Sequence, residues 1–120
     1  MGKSGSKEGV LGGLVIIDLT QMLAGPYCTM MLADHGADVI KIEPPEGDMS
    51  RRLGPYADHD EGQKHSGYFH SINRNKRSIV LDLKSEEGLQ IFKGLIKKAD
   101  AVVENFREGV MERLGLSMKL

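Results

Sequence analysis

The chain has 120 residues, 40% of them hydrophobic, which suffices for one modest core and not for two domains. Its 16 basic and 17 acidic residues leave a net charge of -1, so no basic excess points to nucleic acid. A single cysteine excludes an intrachain disulfide and fits a reducing, cytoplasmic setting, and no apolar run approaches the roughly 20 residues of a membrane helix.

The opening "MGKSGSKEG" has no apolar signal segment, and residues 1–10 read as a flexible tail. Gly2 and Ser6 fit a loose myristoylation pattern, and Gly2-Lys3-Ser4 resembles the end of a P-loop. The first pattern is short enough to match by chance, and the second has no strand before it and no room for the motif's first glycine. "LVIIDL", residues 14–19, is a short apolar run expected of a strand covered on both faces. Pro26 suits the first turn of a following helix, and Gly36 its C-terminal cap. "DVIKIE", residues 38–43, alternates like a second strand that Pro44-Pro45 stops. Strand, helix and strand in so short a span imply a right-handed parallel crossover.

Residues 44–67 are polar and too long for an idle connection, and "SGYFHSINRN" reads as one helical turn leading into a basic loop. "SIVLDL", residues 78–83, reads as a third strand. Ser85 caps the next helix, Glu86 and Glu87 favour its dipole, and Leu89, Phe92, Leu95 and Ile96 give it an apolar face. Lys97 and Lys98 close it. "DAVVENF" is a fourth strand, "EGVMERLG" a short helix ended by Gly115, and Ser117 the cap of a further helix. A four-strand parallel sheet with open edges and a last helix cut short reads as an N-terminal fragment. The fold class is therefore α/β: the N-terminal part of a Rossmann-like parallel sheet with helices on both faces.

Ligands of such sheets sit at the carboxyl ends of the strands. The first turn there, residues 20–25, offers backbone N–H groups and a helix N-terminus but lacks G-x-G-x-x-G. One glycine, Gly25, makes a dinucleotide in the Rossmann manner a poor fit. "NRNKRS", residues 73–78, is the densest basic cluster, and with Lys84, Arg107 and Arg113 it tips towards a phosphorylated ligand. Cys28 reads as a small buried residue, since His35 lies two helical turns on, about 10 Å away along the axis. "DHDEGQKH", residues 58–65, fits no zinc spacing and reads as a solvated loop, so no metal site is expected.

Three blocks decide the family: "DLTQMLAGPYCTMMLADHGADVIKIEPPEGDMSR", "NRNKRSIVLDLKSEEG" and "ADAVVENFREGVMERLGL". Together, over residues 11–116, they resemble the family III CoA transferases, the formyl-CoA and carnitine CoA-transferase group. The resemblance implies that residues 11–120 are the N-terminal portion of a large CoA-binding domain. Coenzyme A, as acyl-CoA, is then a substrate and no cofactor is tightly bound. It places Gln21, Met22, Leu23 and Ala24 beside the CoA and acyl group, and Leu81 and Lys84 along the nucleotide. Asn105, Phe106, Arg113 and Leu114 follow the phosphates and pantetheine arm. The family's catalytic aspartate, which forms anhydride and thioester intermediates while CoA passes to a carboxylic acid acceptor, is implied beyond Leu120. The whole protein is implied to form an interlocked homodimer, with neither nucleic acid nor membrane as partner.

Formyl-CoA transferases carry a histidine where this chain has Gln21 and a glutamine where it has Leu23, which argues against formyl and oxalyl transfer. Pro44 stands where some members have an arginine. Two other readings share the blocks: an α-methylacyl-CoA racemase-like enzyme and a non-catalytic CoA-binding module.

Overall fold

The computed structural model describes residues 9–117. In order it holds β1 (Val15–Asp18), α1 (Ala24–Asp34), β2 (Asp38–Glu43), a 3₁₀ turn (Met49–Arg52), α2 (Gly67–Ile72), β3 (Arg77–Val80), α3 (Glu86–Ile96), β4 (Ala101–Val103) and α4 (Val110–Arg113). The strands form one parallel sheet in the order β3-β2-β1-β4. Strand order therefore reverses between β1 and β4, the position at which open α/β sheets leave a crevice.

Local chemistry explains the helix boundaries. Pro26 lies in the first turn of α1, and Gly36 follows its end with φ +106. The Ser66 and Ser85 hydroxyls cap α2 and α3 by accepting from Phe69 N–H and Gly88 N–H. The apolar runs expected at residues 14–19, 78–83 and 100–106 form shorter strands. Leu81 N–H still donates to Glu43 O at 2.9 Å, and beyond it the Asp82 carboxylate accepts from Lys84 N–H and turns the chain away, so Asp82 and Leu83 leave the ladder. After β4 the Glu104 carboxylate does the same for Phe106 N–H.

Alternation along the strands sorts side chains onto two faces. On the first, Ile17 and Ile42 pack with Leu19, Leu81 and the fully buried Phe92 of α3, flanked by Leu95, Val102, Phe106 and Met111. On the second, Ile16 and Val39 pack with Ala33 and Ala37 at the end of α1. Two residues further along the same strands, that second face changes character. Asp18, Lys41 and Glu43 follow Ile16 and Val39 in phase, and all three are buried. The polar segment expected over residues 44–67 covers this ionic half-face through the 3₁₀ turn, where Asp48 pairs with Lys41 and Arg51 with Glu43, and leads into α2.

Gly9 and Val10 already form a turn, with Gly12 N–H donating to Gly9 and Leu11 N–H to His35. The rest of the expected tail, residues 1–8, and the helix expected after Ser117 lie outside the described residues. Among the described residues, no helix is long and apolar enough to cross a membrane.

Candidate functional site

The β1–α1 turn is held from beneath by buried charge. Asp18 Oδ1 accepts from Thr20 N–H at 2.8 Å and from the Thr20 hydroxyl, while Oδ2 accepts from Thr29 Oγ1 at 2.7 Å and Lys76 Nζ at 2.9 Å. Lys76 uses its three protons fully, donating also to Pro26 O at 3.0 Å and Asn73 Oδ1 at 2.8 Å. Burial pulls this ammonium below its ordinary pKa, against the pull of Asp18. Lys41, 1% exposed, donates to Thr20 O at 2.9 Å and pairs with Asp48 at 2.9 Å.

Next to it, Arg51 grips Glu43 with two bonds of 2.7 and 2.8 Å and stacks over Phe69, 3.7 Å from the ring centroid. Burial opposes the charge on Glu43. Hydrogen bonds from Arg51, Ser78 and the Asp48 N–H outweigh that and hold its pKa at about 2. Among the described residues no buried side-chain polar atom lacks a hydrogen-bond partner.

Above this layer the turn itself is exposed. Gln21 exchanges two hydrogen bonds with Asn105 across the reversal point of the sheet, Met22 has φ +71, and Leu23 precedes α1 without a side-chain cap. Gly25 is required by packing, since a Cβ there would come within 2.5 Å of Thr20 and 2.9 Å of Asn105 Nδ2.

A cleft of about 240 Å³ opens beside the turn, over the carboxyl ends of the strands. Its walls come from every strand end: Leu19 and Gln21 after β1, Pro44 after β2, Leu81 and Lys84 after β3, and Phe106 after β4. Val110 and Leu114 of the α4 region close one side, and Glu46 and Asp82 add acidic groups. A more open hollow of about 480 Å³ continues from Lys84 and Leu114 to Arg113 and the start of α3. Lys84, Arg107 and Arg113 form no ion pair among the described residues.

Of the ten residues that the sequence singled out, Gln21, Leu81, Lys84, Phe106 and Leu114 share the cleft, and Arg113 lines the adjoining hollow. Met22, Leu23 and Ala24 are exposed at the turn, and Asn105 reaches the cleft only through Gln21. The basic cluster before β3 is a correction. Arg74 is bound to Asp34 at 2.7 Å, Lys76 to Asp18 and Arg77 to Asp38 at 2.7 Å, so these cations tie elements together instead of facing a phosphate. Cys28 is a second correction. It is exposed, because α1 turns Pro26, Thr29, Met30 and Ala33 inward and leaves Cys28 on the outer face. Residues 58–65 form turns with largely exposed side chains. No group of three or more His, Cys, Asp or Glu among the described residues is arranged to hold a metal. Lys41, Asp48, Arg51 and Tyr68 carry the turn and its support, and nothing in their local sequence marks them out.

Comparison with known proteins bears on the family and the fold. A succinyl-CoA:mesaconate CoA-transferase of Haloarcula hispanica is 51% identical over 105 residues, covering 88% of this chain and 26% of the relative. An acetyl-CoA:oxalate CoA-transferase of Acetobacter aceti is 50% identical over 111 residues, covering 92% and 27%. The chain thus spans about a quarter of the length of the curated relatives it matches. The crystal structure of a CaiB/BaiF family protein from Brucella suis superposes with a TM-score of 0.85 at 44% identity, over 93% of this chain and 30% of that one. With the sequence model of CoA-transferase family III matching residues 11–120, this chain belongs to that family.

Proposed function

We propose that the cleft over the strand ends is the floor of an acyl-CoA site, in a protein that moves CoA between an acyl-CoA and a carboxylic acid through an aspartyl intermediate. The observation that carries this reading is convergence. Gln21, Leu81, Lys84, Phe106 and Leu114 come from separate segments and share one cleft at the reversal point of a parallel sheet. Met22, Leu23 and Ala24 stand beside the CoA and acyl group, and Asn105 borders the phosphates and pantetheine arm through the Gln21 peptide that it binds. Lys84 and Arg113 supply unpaired positive charge where the ligand's phosphates need it.

In this reading the nucleophile is an aspartate outside these 120 residues. Asp18 is fully buried with both oxygens engaged, and the Asp34 carboxylate is held by Arg74 and Asn75. Neither is free to attack a thioester. Covalent catalysis divides a difficult exchange into easier steps, and the chain's part is to bind and orient the thioester. In the whole protein the partners are an acyl-CoA, an acceptor carboxylate and a second copy in a homodimer. The names of the relatives are those of transferases, which favours neither a racemase nor a non-catalytic module.

Titration of the chain with free coenzyme A, followed by amide NMR shifts, tests the site. The expected changes cluster at Gln21–Ala24, Leu81–Lys84, Phe106 and Arg113–Leu114. An absence of change at millimolar coenzyme A, or changes confined to the α1 face, contradicts it.

A further inference from the structure

The last backbone bond joining β1 to β4 runs from Leu19 N–H to Val103 O at 2.9 Å. Beyond it the strands part, and the Asn105 side chain takes over. Its Oδ1 accepts from Gln21 N–H at 2.9 Å and its Nδ2 donates to Gln21 O at 2.8 Å. A carboxamide is the side chain that offers one acceptor and one donor at the spacing of a peptide, so Asn105 extends the ladder by one step where no strand remains.

The segment it grips is strained. Met22, next in sequence, sits at φ +71, a conformation that a residue with a side chain seldom adopts and that persists only where surroundings over-determine it. Here three successive residues are gripped from outside the turn. Asp18 and Lys41 hold Thr20, Asn105 holds Gln21, and the Tyr68 hydroxyl donates to Met22 O at 3.3 Å. Asn105 is the member whose loss leaves the core intact, because it is exposed and belongs to neither apolar cluster.

We infer that Asn105 is a positioning residue that acts on the cleft through the Gln21 peptide, fixing the β1–α1 turn and the β4–α4 loop as one unit. The clamp stands on the hydrogen bonds alone; its consequence for ligand binding rests on reading the cleft as a CoA site.

Hydrogen exchange on the whole chain without ligand tests the clamp. In Asn105→Ala the Gln21 amide should exchange about tenfold faster, while Ile17 and Phe92 keep their wild-type rates. Asn105→Asp retains the acceptor but sets a carboxylate oxygen against Gln21 O, so its exchange at Gln21 should also rise. Unchanged exchange at Gln21, or a rise shared equally by Ile17 and Phe92, overturns the clamp. Titration with free coenzyme A then separates the two ideas. No binding by the wild type defeats the CoA reading and leaves the exchange result to decide the clamp. If the wild type binds, Asn105→Ala should bind about tenfold more weakly, as expected for a turn that must be re-ordered. Equal affinities would overturn the link between clamp and cleft.

Discussion

The two faces of the sheet are built on different physics. The α3 face is apolar, with Ile17, Ile42, Leu81 and Phe92 in one cluster whose upper edge lines the cleft. The opposite face is apolar only at the amino end of its strands and ionic at the carboxyl end, where Asp18, Lys41, Glu43, Asp48 and Lys76 meet. Apolar packing depends on volume and tolerates exchange of one hydrocarbon for another. A buried ionic layer does not tolerate the loss of one partner, because the group left alone bears its full desolvation cost. The ionic half lies directly beneath the β1–α1 turn, so the least forgiving part of the core supports the part proposed to meet ligand.

Substitutions that preserve size break or sharpen this contrast. Lys76→Met keeps the length of the side chain but strands Asp18, and we expect a loss of about 3–5 kcal/mol in urea unfolding. A loss below about 1 kcal/mol, typical of a solvated surface pair, would remove the basis for the contrast. Glu43→Gln deprives Arg51 of its charged partner and should cost about 1.5–3 kcal/mol near neutral pH. Its pH dependence has a definite sign. The folded pKa of about 2 lies below the ordinary 4.5, so the contribution is complete above about pH 4.5 and is lost as pH falls towards 2. The gap between wild type and Glu43→Gln should close over that window, and a constant gap would contradict the assignment.

On the apolar face, Ile17→Val removes one methylene and should cost only about 0.5–1.5 kcal/mol, read by the same unfolding measurement. A loss as large as that of Lys76→Met would erase the difference between the faces. The smallest effect belongs to Arg77→Ala. Its pair with Asp38 is largely solvent-exposed, and about 0.2–1 kcal/mol is expected, shrinking in high salt.

What the sequence made legible follows the reach of each interaction. Ser85, Gly36 and Gly115 mark helix ends because capping is decided within a few residues, and β1 and β2 stand out as apolar or alternating runs. Strand ends were less legible, since the Asp82 carboxylate turning back to Lys84 N–H competes with an apolar run that would otherwise continue. The basic cluster misled for the opposite reason. Its partners Asp34, Asp18 and Asp38 lie 40, 58 and 39 residues away, and only the folded sheet brings them together. Lys41 lies in an alternating strand with nothing local to mark it as buried, and its 1% exposure and its pair with Asp48 of the following segment appear only in the folded chain. The cleft residues came into view through family resemblance. The pair of hydrogen bonds exchanged by Asn105 and Gln21 has no sequence signal at all.

The most direct test of the cleft is calorimetric titration of wild type and Arg113→Ala with free coenzyme A at two salt concentrations. The account predicts saturable binding by the wild type that weakens in salt. In Arg113→Ala it predicts about tenfold lower affinity and a shallower salt dependence. No heat at millimolar coenzyme A, or equal affinity and salt dependence in the two proteins, would contradict it.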